Sequence, residues 1–218
     1  MLTLGIETAA DVCAVALLDG DAVVVRAEIH RPRAHGRRLA PLVAEALAHA
    51  ERAAGDLDLV AVSAGPGSFT GLRIGMSTAK GLCLSTGASL AAVPTLQALV
   101  AGVEGAVVVA LPSRRGEVYA AIYDGATAVR PAAGIAVADL AGWLPPAPLA
   151  LGGPGAERVA EALPDYGWRR LSLVPNAVSI ARLGQDAARA GRLADPATAE
   201  PAYLKPVAAV RPRGIFGG

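Results

Sequence analysis

Aromatic residues make up only 4% of this 218-residue chain. A surface that stacks nucleobases needs them, so a base-reading platform is disfavoured. Cysteine is nearly absent: Cys13 and Cys83 lie far apart, each inside an apolar pattern. That excludes a disulfide framework and points to buried free thiols in a reducing compartment. The formal net charge is only +1, so the chain as a whole exerts no long-range pull on nucleic acid. Hydrophobic residues reach 53%, but alanine and valine inflate that figure, and no unbroken apolar run approaches the roughly 18 residues of a membrane span. The sequence starts on strand-like residues without a basic leader, so no signal peptide is expected. A soluble, cytoplasmic protein with no membrane contact is the expectation, long enough for one large domain or two small ones.

Signatures of catalysis are also missing. His30, His35 and His49 all lie in the first third, with no HExxH or other zinc spacing, and no metal site is expected. Ser68 is flanked as PGSFT rather than GxSxG. His35, near a helix start, reads as a surface residue. Neither cysteine resembles a reactive thiolate.

What the chain does have is the unusual stretch Ala64 to Ser85, AGPGSFTGLRIGMSTAKGLCLS. An apolar run, Leu59 to Val62, feeds a tight Gly65-Pro66-Gly67 turn, after which Ser68 and Thr70 stand at the mouth of a helix. Ser68 is the expected N-cap. On a helical wheel Leu72, Met76, Ala79 and Cys83 form a core face, and Arg73, Ser77 and Lys80 a polar one. Gly71, Gly75 and Thr78 form a row of small residues. Each interior glycine costs about 1 kcal/mol against alanine, so the row implies that a helix or ligand packs very close there. The loop is no phosphate cradle: it lacks the GK[ST] ending, Thr70 falls where a third glycine belongs, and Pro66 removes a donor. The stretch therefore reads as a docking element, its glycines leaving room for a partner helix.

Residues 2–7, 12–18 and 22–29 read as three strands, the second connection carrying an Asp19-Gly20-Asp21 turn. The basic segment HRPRAHGRRL follows, with Arg31, Arg33, Arg37 and Arg38. It reads as a solvated loop and helix start that leaves contact with phosphate open. An amphipathic helix bearing Leu39, Val43, Ala46 and Ala50 then runs until near Gly55. Strand 59–62, the helix after it and a strand before Pro94 complete a mixed sheet with packed helices. Then the pattern restarts. Gly5 and its neighbours lie over Ala110 and its neighbours without a gap, and Asp19-Gly20 meets Asp124-Gly125, an offset of 105 positions. Further strands are expected at 107–111, 118–123, 126–130, 149–151 and 170–174, with helices near 137–144, 156–163 and 177–190. Internal duplication yields two tandem α/β lobes with mixed five-stranded sheets, residues 1–103 and 104–218, the C-terminal tail returning toward the first lobe.

A cleft between lobes is the natural ligand site, and the loops after each first strand would face each other across it. An acidic residue in both could hold a metal-bound phosphate. The first lobe offers Glu7, while the second has Pro112-Ser113-Arg114 at the matching place, so half of such a clamp is missing. Two readings of Glu7 stand side by side: a group that orients a ligand, or a structural carboxylate at a strand end.

These segments resemble the TsaB family, formerly YeaZ. The resemblance is carried by LGIETAADVCAVALLDG, HGRRLAPLVAEAL, AGPGSFTGLRIGMSTAKGL, RRGEVYAAIYDG and PAYLKP, which span nearly the whole chain in the family's order. It implies a pair of actin-like, RNase-H-type (ASKHA) lobes. It further implies a non-catalytic subunit, without catalytic residues, that pairs with a TsaD-like catalytic subunit and joins a TsaE-like ATPase. The assembly would transfer a threonylcarbamoyl group to N6 of adenosine 37 in tRNAs reading ANN codons. The partner interface is then expected at Gly71, Arg73, Gly75, Thr78 and Lys80, positioned by Gly65, Pro66, Gly67, Ser68 and Thr70. The same surface would form a homodimer in the chain when alone. Glu7, Thr8, Gly152 and Gly153 are expected at a vestigial nucleotide cleft. No cofactor is implied for this chain, ATP or ADP belonging to the interface of the assembled complex, and tRNA is met mainly through that complex. Glu7 where the family more often has aspartate, and Pro112-Ser113-Arg114 in place of Asp-Ala-Arg, imply weak nucleotide binding by the chain alone. The rival class is an enzyme acting alone, an ATPase or a metallopeptidase.

Overall fold

The computed structural model describes residues 1–31, 35–146 and 149–204. Strands β1 (Leu2–Glu7), β2 (Val12–Asp19) and β3 (Ala22–His30) form an antiparallel meander. Helix α1 (His35–His49) leads to β4 (Leu59–Gly65), which pairs parallel with β1. Helix α2 (Phe69–Thr86) then leads to β5 (Ser89–Pro94), parallel to β4, and the first sheet has the order β3-β2-β1-β4-β5. After α3 (Thr95–Leu99) the plan repeats: β6 (Ala106–Pro112), β7 (Glu117–Asp124), β8 (Thr127–Ala136), α4 (Leu140–Trp143), β9 (Ala150–Gly152), α5 (Ala156–Ala162), β10 (Arg169–Leu171) and α6 (Ala177–Arg189). The second sheet runs β10-β9-β6-β7-β8, the same order read from the other edge. The duplicated Asp-Gly turns take the same left-handed backbone, with φ +57° at Gly20 and +55° at Gly125, a conformation that glycine adopts without steric cost.

Every residue of β1 and β4 is buried, which is why these strands read as continuous apolar runs rather than alternating ones: helices cover both faces of the sheet. On one face α1 and α2 bring Leu39, Val43, Met76, Ala79 and Cys83 against Leu4, Ile6, Val60 and Val62. On the other lies α6, although it follows the second sheet in sequence. Its Ala177 and Ala181 pack with Ala14, Ala16 and Leu18. A Cβ at Gly184 would overlap that of Ala61, so only glycine lets α6 lie this close to β4. Buried Gln185 ties α6 down through Nε2, which donates to Thr3 Oγ1 (3.1 Å) and to the Gly20 carbonyl (2.8 Å). Conversely α3, which follows the first sheet, packs Leu96, Leu99 and Val100 against Val107, Val109 and Leu111 of the second. Helix α6 thus seats on the first lobe, while α3 bridges the two, its Ala98 packing with Leu59, Ala61 and Val93 of the first sheet. A division at residue 103 separates the sheets but not the cores.

Several local expectations differ from the structure. Helix α1 ends at His49 rather than near Gly55, and Glu51 just beyond it has φ +53°. His35 is not a surface residue: it is buried, its Nε2 3.1 Å from the Val12 carbonyl. The helix expected over 137–144 is a 3-10 turn (Val137–Asp139) followed by the four-residue α4. Strand β8 continues through Pro131 to Ala136, which an edge strand tolerates because an outward position needs no amide donor. Among the described residues no helix is long and apolar enough to cross a membrane.

Candidate functional site

The loops after β1 and β6 do face each other. Between them opens a cleft of about 710 Å³, bordered by Ala9–Val12 on one side, Leu111–Arg114 on the other, and by residues of both glycine-proline turns. Its lining is mainly apolar, with Leu72, Phe69, Tyr119, Val174 and Leu204 among the contributors, and Asp11, His30, Ser68, Ser113 and Arg114 are among the polar residues.

Several amides of the turns that would cradle a phosphate are spent inside the protein. Ala9 N–H donates to Glu7 Oε1 (2.5 Å), Thr8 N–H to Ser63 Oγ (3.2 Å), and Ser68 N–H to the Ala9 carbonyl (2.7 Å). The start of α2 is closed as expected, Gly71 N–H donating to Ser68 Oγ (3.2 Å). In the second lobe Gly155 N–H donates to the Ala110 carbonyl (2.9 Å) and Ser113 N–H to the Glu117 carbonyl (3.3 Å). Pro66, Pro112 and Pro154, which also border the cleft, have no amide hydrogen. These amides and the three prolines offer a polyphosphate no donor, so the cradle is at best partial.

The four residues expected at a vestigial nucleotide cleft do not line it. Glu7 and Thr8 are 1% and 0% exposed and lie beneath the loop; Gly152 is buried in β9, and Gly153 forms the turn above it at φ +94°. Of the two readings of Glu7, the geometry favours the structural carboxylate. Burial pushes its pKa up to about 7 against the pull of the Ala9 amide and the Ser63 hydroxyl, and its Oε2 has no partner among the described residues. Burial likewise raises the Cys13 thiol and pushes Cys83 up to about 11, so neither is a poised thiolate. Among the described residues no group of three or more His, Cys, Asp or Glu is placed to hold a metal ion.

Helix α2 keeps its three stripes, but the small-residue row has a different neighbour from the one expected. Gly71 and Gly75 are buried, and a Cβ on either would collide with Thr8, at its carbonyl and its Oγ1 respectively. The glycines make room for the loop after β1, not for a partner helix; Thr78 is half-buried beside them. The wheel locates the close approach correctly but cannot say which segment fills it, because Thr8 is 63 or more positions away in sequence. The outward stripe of α2 is instead Arg73, Ser77, Gly81 and Leu84, the last 68% exposed, and α1, which packs against α2, exposes Ala40, Ala44 and Ala48. A methyl group added at Gly81 would meet nothing within 4 Å, so that surface is open. Of the positioning loop, Gly65 donates its N–H to buried Thr95 Oγ1 (3.1 Å), Pro66, Gly67 and Ser68 border the cleft, and Thr70 is exposed.

Residues 194–204 form a strap to which the sequence assigns no element, although its PAYLKP segment is distinctive. Ala194 bridges to Leu90, and Ala202 N–H donates to the Ala64 carbonyl (2.7 Å). Lys80 Nζ donates to the carbonyls of Ala197 (3.2 Å) and Ala199 (3.0 Å). Arg73 Nε donates to Tyr203 Oη (3.0 Å), and its guanidinium lies 4.1 Å from the centre of the Phe69 ring. Arg31, Arg37 and Arg38 are exposed, while Arg33 lies outside the described residues.

Two sheets of one strand order, closing on a single cleft, define an actin-like, RNase-H-type (ASKHA) α/β fold. The family described as TsaD, tRNA N6-adenosine threonylcarbamoyltransferase, matches residues 26–200. The chain is 38% identical over 129 residues to the tRNA threonylcarbamoyladenosine biosynthesis protein TsaB of Escherichia coli K12, an alignment covering 57% of this chain and 55% of that one. To TsaB of Bacillus subtilis 168 it is 34% identical over 127 residues, 57% of this chain and 56% of the relative. The aligned region thus spans about half the length of these curated relatives. YeaZ from Pseudomonas aeruginosa superposes with a TM-score of 0.82 at 26% identity, covering 93% of this chain and 99% of that structure. The chain belongs to this family, on its TsaB (YeaZ) side.

Proposed function

We propose that this chain is a non-catalytic accessory subunit in the synthesis of threonylcarbamoyladenosine on tRNA, acting by binding and activating a TsaD-like catalytic subunit. The observation that carries this reading is the cleft. It keeps the place of a nucleotide site in an ASKHA fold, yet its lining is mainly apolar, several of its loop amides are engaged within the chain, and its one strand-end acid is buried. Kinship with TsaB supports the pathway, and likeness to the TsaD family is consistent with a TsaD-like partner.

The outward stripe of α2 with the alanines of α1 is the proposed docking face for that partner, and for a second copy of the chain when it is alone. Exposed Leu84 supports this use, as do the small residues around it, which let another helix approach closely. Of the residues expected there, Arg73 and Lys80 remain at the rim, whereas Gly71 and Gly75 are withdrawn into the chain. A TsaE-like ATPase and ATP or ADP at the assembled interface complete the proposed complex, with tRNA held mainly by the assembly.

Reconstitution tests the reading. With a TsaD-like subunit, a TsaE-like ATPase, threonylcarbamoyl-adenylate and tRNA, omitting this chain is expected to abolish modification of adenosine 37. Undiminished modification without it refutes the accessory role. ATP turnover by the purified chain alone would instead favour the rival enzyme.

A further inference from the structure

We propose that the strap over residues 197–204 is a lid shared by the cleft and the outer face of α2, so that an acidic partner surface engaging Arg73 and Lys80 opens the cleft. Tyr203 is the shared wall. It borders the cleft together with Ala202 and Leu204, and it also borders a smaller groove of about 250 Å³ formed with Arg73, Lys80 and Glu200. Its ring packs on Phe69, itself a cleft residue, with centroids 5.3 Å apart.

The two cations of α2 hold this lid with neutral acceptors: Lys80 by the carbonyls of Ala197 and Ala199, Arg73 by the Tyr203 hydroxyl. A carboxylate adds opposite charge that a carbonyl or hydroxyl acceptor lacks, so acidic side chains on a docking partner compete well for both cations. Apart from the Ala202 bond to the Ala64 carbonyl and the packing of Ala199, the strap's grip lies at the surface, where Phe69 is 39% and Tyr203 37% exposed, so the stretches either side of Ala202 can yield without unfolding the lobe. Coupling of this kind is reciprocal, so a ligand that fills the cleft and lifts Tyr203 also frees α2 for docking. The partner arm of this inference rests on the docking proposed above; the lid itself does not.

The test places a reporter thiol in the cleft by Ser113→Cys and follows its labelling by fluorescein maleimide. Ser113 Oγ is shielded from solvent and borders the cleft, while the native Cys13 and Cys83 are 0% and 3% exposed. Lys80→Met touches the strap alone and lies outside the cleft lining. It is expected to speed labelling of the reporter about tenfold, as for the loss of one to two surface hydrogen bonds, with Cys83 labelling unchanged. Unchanged reporter labelling, or equal acceleration at Cys83, overturns the lid. Saturating TsaD-like subunit is expected to accelerate the reporter in the Lys80 protein to a similar degree. A complex that forms on size exclusion yet leaves labelling unchanged or slower overturns the coupling. Failure to form any complex removes the docking reading, and the coupling with it, while Lys80→Met still decides the lid.

Discussion

The two lobes share a strand order, a hairpin turn and a cleft-side glycine-proline turn, yet their helices differ. The first sheet is covered by α1 and α2, of 15 and 18 residues, and by α6, of 13; the second carries α4 and α5, of four and seven, and shares the five-residue α3. Duplication therefore preserved what closes a sheet and shapes a cleft, while the first lobe gained the helical surface. The same contrast holds at the ends of the first strands. In the first lobe that loop is clamped under α2 by Thr8, with Gly71 and Gly75 making the space. In the second, Gly153 and Gly155 give way to the end of β6, a Cβ on the first overlapping the Ala110 carbonyl oxygen and one on the second falling 2.7 Å from the Leu111 carbonyl carbon. Both arrangements fasten loops that a nucleotide-binding fold would keep available.

The sharpest way to break this contrast is Gly75→Leu. If the small row served a partner, the monomer would stay folded; with Thr8 against it, the change should destabilise the chain by about 3 kcal/mol or more, measured by urea unfolding. An unaltered midpoint would return the glycines to an interface role.

Glu7 gives the next effect, and its sign follows from the raised folded pKa of about 7. Folding favours the protonated acid, so this group's contribution to stability is greatest below the unfolded value near 4.5 and declines as pH rises toward 7. The full decline is about 3 kcal/mol. Glu7→Gln should remove it, leaving the variant more stable than the parent at pH 8 and close to it at pH 4.5. Parallel pH profiles for parent and variant would show that the carboxyl is ionised at little cost.

The seating of α6 on the first sheet predicts a smaller loss. Gly184→Val, far from the cleft-lining residues, should cost about 1–3 kcal/mol by forcing α6 off β4. Hydrogen exchange should then rise in β1 and β4 before it rises in the second sheet; uniform acceleration would argue that α6 belongs equally to both lobes. Smallest is Gly81→Ala on the open face of α2, expected to stabilise by up to about 1 kcal/mol through helix propensity alone. A loss in melting temperature would mean that something in the chain covers that face.

Much of this architecture is legible in the sequence. Apolar runs at 2–7 and 59–62, the Asp-Gly repeat and the Ser68 cap are local signals, and they specify the strands, the duplication and the start of α2. Contacts between distant segments are different. Thr8 beneath Gly75, Tyr203 beside Arg73 and the seating of α6 on the first sheet join residues more than 60 positions apart, with no periodicity to announce them. His35 shows the same limit: a polar residue at a helix start gives no sign of the Val12 carbonyl that holds it inside. The loops facing each other across the cleft are legible from the duplication, but the internal use of their amides is not.

The central claim is that this chain serves threonylcarbamoyl transfer through the outward face of α2. Gly81→Arg tests it most directly, since the site is exposed and open, and the folded chain should keep its melting temperature. In the reconstituted reaction with the TsaD-like subunit, this variant is expected to bind no partner and to support no more modification of adenosine 37 than omission of the chain. Full modification by a folded Gly81→Arg protein would contradict the account.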